Sequence, residues 1–159
     1  MNLTIRPVTS ENRREVLALS VQETQKGFIE TTAQCLEEAD SLPLWRPVGL
    51  YDGELLVGFA MYGFWKYEGR DGRVWLDRLL IDRRYQGRGY GKAALQTLLA
   101  RIRREYDRPA VYLSLYAENA VAARLYERFG FRYNGELDQH GERVMVLDFA
   151  AANDPALRA

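Results

Sequence analysis

Apolar and polar positions alternate from Leu3 to Val8, the period-two signature of a half-buried strand. Thr9-Ser10-Glu11 then offers helix caps, and Val16, Leu17, Leu19, Ser20 and Val21 form the expected buried side of a first helix. A break at Phe28-Ile29-Glu30 precedes a short second helix over 32–40, which ends near Leu42-Pro43. Apolar runs at 48–51 and 55–62 flank Asp52-Gly53, a strong hairpin signal because both residue types accept the left-handed backbone of a tight turn. A loop rich in glycine and charge leads to a further apolar strand at 74–81.

Downstream, Ala94, Leu95, Leu98, Leu99 and Ile102 recur at helical spacing until Pro109 stops the pattern. A strand over 111–115 follows, then a helix over 120–129 with Gly130 as its left-handed cap. Paired strands at 131–133 and 143–149 surround the polar turn Asp138-Gln139-His140-Gly141, and residues from about 150 onward read as a frayed tail. The chain thus divides into one mixed α/β domain over 1–149, antiparallel at its start and helix-connected later, and a C-terminal tail over 150–159.

A length of 159 residues with 47% hydrophobic content suits one domain with one core. No apolar run approaches the ~18 residues of a membrane span, and the N-terminus lacks the apolar core of a signal peptide. The lone cysteine, Cys35, excludes an internal disulfide and a cysteine metal cluster. A cytoplasmic protein without a metal is the expectation. A net charge of zero points to neither nucleic acid nor membrane as partner. The distribution is less even. Residues 82–108 carry eight basic side chains against three acidic, and residues 23–54 carry seven acidic against two basic. One stretch suits phosphates and the other a cation, although solvated helix faces give the same counts.

The basic stretch contains Gln86-Gly87-Arg88-Gly89-Tyr90-Gly91-Lys92, placed between a strand and a helix. Such a turn points backbone N–H groups outward at a positive helix end, and its glycines keep Cβ atoms out of an anion's way. It is no P-loop, since Gly91-Lys92 is followed by Ala93 instead of a hydroxyl residue. Nor does it follow the chain's first strand, as a dinucleotide fingerprint would.

Gln86-x-x-Gly89-x-Gly91 after a strand resembles motif A of the GNAT superfamily of acetyl-CoA-dependent N-acetyltransferases. A second block, from Asn119 through Tyr126 to Gly130-Phe131, resembles that family's Asn-x-x-Ala-x-x-x-Tyr-x-x-x-Gly-Phe signature. The resemblance covers about residues 3 to 149. It narrows at Lys26-Gly27-Phe28-Ile29-Glu30-Thr31-Thr32, Pro47-Val48-Gly49-Leu50-Tyr51, Gly58-Phe59-Ala60-Met61-Tyr62-Gly63 and Gly72-Arg73-Val74-Trp75-Leu76-Asp77-Arg78. These segments, with Asn134-Gly135-Glu136-Leu137-Asp138, are similar to bacterial spermine/spermidine (diamine) N-acetyltransferases.

The resemblance implies a mostly antiparallel sheet of about seven strands, helices on both faces, and splayed fourth and fifth strands. It implies acetyl-CoA as cosubstrate. The pantetheine arm would lie along Leu79, Leu80 and Ile81 and reach Ser114, and the pyrophosphate would sit on Gly87, Arg88, Gly89, Tyr90, Gly91 and Lys92 after Gln86. Asn119 would bond the arm or simply cap its helix. Tyr126 would serve as the general acid near the sulfur, or as a core aromatic. Asp77, on the strand face of Leu79, is the leading proton acceptor, and Glu30 the second. Either could anchor a distal ammonium, and Asp77 could instead pair with Arg78 or Arg73. Phe28 and Trp75 could hold an aliphatic chain or a cation.

The resulting expectation is acetyl transfer to a primary amine of a polyamine, by direct attack and by a homodimer. The rivals are another amine (an aminoglycoside, an amino acid or a protein N-terminus) and a non-enzymatic acyl-CoA sensor. His140, the only histidine, is expected at the surface, and Cys35 as a packed thiol.

Overall fold

A computed structural model of the chain describes residues 2–158. Its seven strands form one sheet in the order β1-β2-β3-β4-β5-β7-β6. They are β1 (Thr4–Pro7), β2 (Trp45–Asp52), β3 (Leu55–Trp65), β4 (Arg73–Ile81), β5 (Ala110–Leu115), β6 (Arg132–Leu137) and β7 (Arg143–Asp148). The helices are α1 (Arg13–Leu17), α2 (Thr32–Ser41), α3 (Tyr90–Tyr106) and α4 (Ala120–Phe129). Two compact units make up the chain, Met1–Gly63 with Asp77–Leu98, and Phe64–Leu76 with Leu99–Ala159.

In the first unit β1 pairs antiparallel with β2, and β2 with β3 around the expected hairpin, where Gly53 takes a φ of +62°. Ile5 is buried, as the alternation of β1 required, whereas the apolar runs of β2 and β3 are buried on both faces, Leu50, Val57, Phe59 and Ala60 among them. Helix α2 begins at a reciprocal cap, the Thr31 hydroxyl accepting the Gln34 N–H and the Gln34 side chain accepting the Thr31 N–H. Helix α1 is shorter than its apolar pattern suggested. Val16 and Leu19 are buried, but Leu17 is 44% exposed. The helix stops because the backbone of Ser20 turns away to bond with Asp82 and Arg83.

In the second unit β5 pairs antiparallel with β7, β7 with β6, and Val74–Trp75 run parallel to Val111–Tyr112. Helix α4 has the anticipated ends, with Asn119 as N-cap and Gly130 left-handed at φ +108°. Residues 150–158 are not frayed. Ala152 and Leu157 are buried, the Arg103 guanidinium donates to the carbonyls of Leu157 and Arg158, and the Asn153 N–H donates to the Phe129 carbonyl. The alanine-rich composition hid this, because the anchoring is done by backbone groups and by two buried side chains, Ala152 and Leu157.

Candidate active site

Strand β4 ends at Ile81, and the next residue, Asp82, is 1% exposed. A carboxylate at that depth must be bonded. One oxygen accepts the Ser20 N–H at 3.1 Å, and the other accepts the Arg84 N–H at 2.9 Å and its Nε at 2.7 Å. Burial pushes this carboxyl up, but the Arg84 guanidinium and the N–H groups of Arg84 and Ser20 outweigh it and hold the group below the usual carboxylate range. Four residues on, Gln86 Nε2 donates to the Ile81 carbonyl and to Gln25 Oε1, each at 2.9 Å. The side chain of Gln86 therefore ties the turn to the end of β4 and to the segment after α1. Sequence reasoning missed Asp82 and Gln25. An acid directly after an apolar strand was the available signal for the first, and none existed for the second.

Between these ties and α3 lie Gly87 and Gly89, with φ of +77° and +87°. A Cβ on either would meet nothing within 4 Å, so the backbone conformation, and not crowding within the chain, calls for glycine. Tyr90, Gly91 and Lys92 then open α3, where N–H groups have no carbonyl one turn back. Arg88 and Lys92 are exposed beside them. This open, N–H-rich turn fits a pyrophosphate. The Tyr90 side chain is buried and points elsewhere, its hydroxyl donating to Asp52 at 2.6 Å. Only its backbone remains for an anion.

Upstream on the same strand, Leu80 is buried and Leu79 and Ile81 half-buried. Gly58 of β3 fits flush here, since a Cβ on it would lie 2.4 Å from the Leu80 carbonyl oxygen. Asp77 and Glu30 are brought together by Arg78. Its guanidinium pairs with the Glu30 carboxylate and lies 3.2 Å from Asp77 Oδ2, and it also donates to the Asp77 carbonyl at 2.7 Å. The side chains of Arg78, Asp77 and Glu30 are 16%, 20% and 39% exposed. Phe28, half-buried, precedes Glu30 in the link to α2. Behind them Cys35 is fully buried, and burial, with the nearby carboxylates of Asp77 and Glu38, pushes its thiol up to about 12. Such a thiol is no nucleophile.

The second unit holds the remaining candidates. Tyr126 on α4 is half-buried, its ring edge-on to Phe131 at 5.7 Å between centroids, and burial pushes its hydroxyl up to about 12. It is a protonated donor at any physiological pH. The Asn119 side chain accepts the Ala122 N–H at 3.4 Å, so capping is one role it fills. Ser114 donates to Asp138 at 3.0 Å. Trp75 is half-buried, donates to Glu68 at 3.1 Å and packs on Tyr112 at 5.6 Å. Arg73 lies over the Tyr112 ring at 4.3 Å and grips Glu136 through two hydrogen bonds. His140 is exposed, as expected. Among the described residues no group of three or more His, Cys, Asp or Glu could hold a metal, and no helix is long and apolar enough to cross a membrane.

Residues 10–131 match the acetyltransferase (GNAT) family. The chain is 49% identical over 151 residues to a spermine/spermidine N(1)-acetyltransferase of Bacillus subtilis (strain 168), covering 93% of this chain and 99% of that protein. It is 33% identical over 112 residues to an L-methionine sulfoximine/L-methionine sulfone acetyltransferase of Pseudomonas aeruginosa, covering 67% and 63%. Among solved structures, the fold is shared with spermidine N-acetyltransferase from Vibrio cholerae in complex with CoA and spermine (TM-score 0.72, 19% identity, 94% of this chain and 97% of that chain). It is shared equally with an aminoglycoside acetyltransferase in complex with coenzyme A (TM-score 0.78, 18% identity, 94% and 96%).

Proposed function

Because the chain belongs to the acetyltransferase (GNAT) family, we propose that this N-acetyltransferase moves the acetyl group of acetyl-CoA onto a primary amine of a polyamine of the spermidine/spermine class. Acetyl-CoA supplies a thioester carbonyl and a thiolate leaving group. The N–H groups of residues 87–92 hold its pyrophosphate, and the backbone of Leu79, Leu80 and Ile81 bonds the pantetheine amides as an added strand would. The backbone N–H near Leu80 polarises the carbonyl.

Asp77 takes the proton of the attacking amine, directly or through water, and Glu30 faces a distal ammonium. Tyr126 donates to the departing sulfur. With its hydroxyl near 12, far above a thiol's usual ~8.5, it acts as a hydrogen-bond donor that stays neutral between turnovers. In the balance, the amine nitrogen gives a proton to Asp77, a C–N bond forms, the C–S bond breaks, and the sulfur takes a proton from Tyr126, which regains one from solvent before the next turnover.

The observation that carries the polyamine reading is the pair of half-buried carboxylates, Asp77 and Glu30, one of them two residues ahead of the cofactor strand segment. The name of the Bacillus relative supports it. CoA release measured with spermine, spermidine, a diamine, an aminoglycoside and free amino acids tests it. Turnover is expected with the polyamines; turnover confined to another amine would overturn the acceptor, and absence of any turnover would favour a sensor. We place the enzyme in the cytoplasm, as a homodimer paired along β6. That strand ends the sheet, and all its residues, Tyr133 and Leu137 included, are exposed.

A further inference from the structure

An arginine inside an apolar strand needs a reason. Val74, Leu76 and Leu80 of β4 are buried, yet Arg78 stands among them with only 16% of its side chain exposed. Its partners are the two carboxylates expected to receive a cationic substrate. On α2, Cys35 lies near Asp77. Glu38 and Asp77 both act on the Cys35 thiol, which stays neutral. Guanidinium remains charged at every pH at which an enzyme works. Glu30, Asp77 and Arg78 together therefore carry one net negative charge, and without the arginine they would carry two.

We propose that Arg78 sets the acceptor specificity of this site, as a built-in counter-cation that holds the Glu30–Asp77 pair to a single net negative charge and so to a single substrate ammonium. The proposal rests on the amine-acetyltransferase reading above. Two opposing demands make the charge matter. A distal ammonium binds better as the site grows more negative, but the attacking nitrogen must be neutral, and excess negative charge holds it as ammonium. Arg78 offsets one carboxylate, so the site keeps an anchor without trapping the nucleophile in its protonated form. Arg78 is a positioning residue, acting through Glu30 and Asp77 on the amine's proton.

Steady-state kinetics with spermidine from about pH 6 to about pH 10 test this. Turnover by the unaltered enzyme comes first; if no polyamine is acetylated, the functional reading has failed before any variant is compared. In Arg78→Gln the spermidine KM should fall about tenfold. The kcat at neutral pH should fall too, because the limb reporting amine deprotonation moves up by about one pH unit. The KM for acetyl-CoA should not move. Arg78→Lys, which keeps the charge but loses the guanidinium fork, should leave the limb in its original position. The double variant Glu30→Gln/Arg78→Gln, again with one net negative charge, should return the limb to its original position. A raised spermidine KM, an unmoved limb in Arg78→Gln, or no return in the double variant would overturn the proposal. If Arg78→Gln does not fold, Glu30→Gln alone runs the arithmetic in reverse. Its spermidine KM should rise and its limb move to lower pH, and an unmoved limb would count equally against the counter-cation.

Discussion

The glycine turn after β4 and the carboxylate pair on β4 itself are built from different materials. The turn offers an anion mainly backbone: left-handed glycines, helix-opening N–H groups, and side chains such as Gln86 and Asp82 that face inward to hold the loop. The proposed acceptor corner offers mainly side chains, three charges whose sum would decide what binds. A backbone site is fixed by conformation and tolerates changes of side-chain chemistry. A side-chain site can be retuned by a single substitution while the fold stays the same. One enzyme can thus keep its donor and exchange its acceptor.

The hardest test of that contrast is to remove one oxygen from the side-chain machinery. Tyr126→Phe is expected to lower kcat by about 100-fold at saturating substrates, with the KM for acetyl-CoA unchanged. An unchanged maximal rate would remove Tyr126 from the chemistry. Next, the backbone site should fail only when its backbone is altered. Gly89→Val puts a β-branched residue at a φ of +87° and should raise the KM for acetyl-CoA by about tenfold, while the amine KM holds. Equal loss for both substrates would show that the two sites are not separable.

The smallest effect concerns the tie behind the turn. Asp82 titrates below its ordinary range in the folded chain, so its stabilising contribution is present above the unfolded carboxyl value of about 3.9 and is lost as pH falls towards the folded value. Melting temperature should therefore drop less steeply on acidification in Asp82→Asn than in the parent. Parallel curves would show that the carboxylate's charge contributes nothing to the clamp.

The same contrast explains what could be read from the chain alone. Order and type of the elements followed from local rules: Asp52-Gly53 for the hairpin, Asn119 and Gly130 for the ends of α4, the apolar period of α3. The turn was legible for the same reason, since glycine reports backbone conformation directly. What stayed hidden depended on partners distant in sequence. Ser20 leaves α1 because Asp82 and Arg83 hold it, Gln25 meets Gln86 across 61 positions, and Glu30 meets Arg78. Arg78 within an apolar run and Asp82 directly after it were the local signs of such partners.

Cys35 has a practical consequence. The chain's sole thiol is sealed from solvent and stays protonated far above neutrality. Thiol-reactive dyes should leave the native protein unlabelled, so each equivalent of colour they develop in a reaction mixture counts one molecule of coenzyme released. The enzyme therefore supplies its own clean background for a continuous assay, and slow labelling of Cys35 under the same conditions would report transient opening of α2.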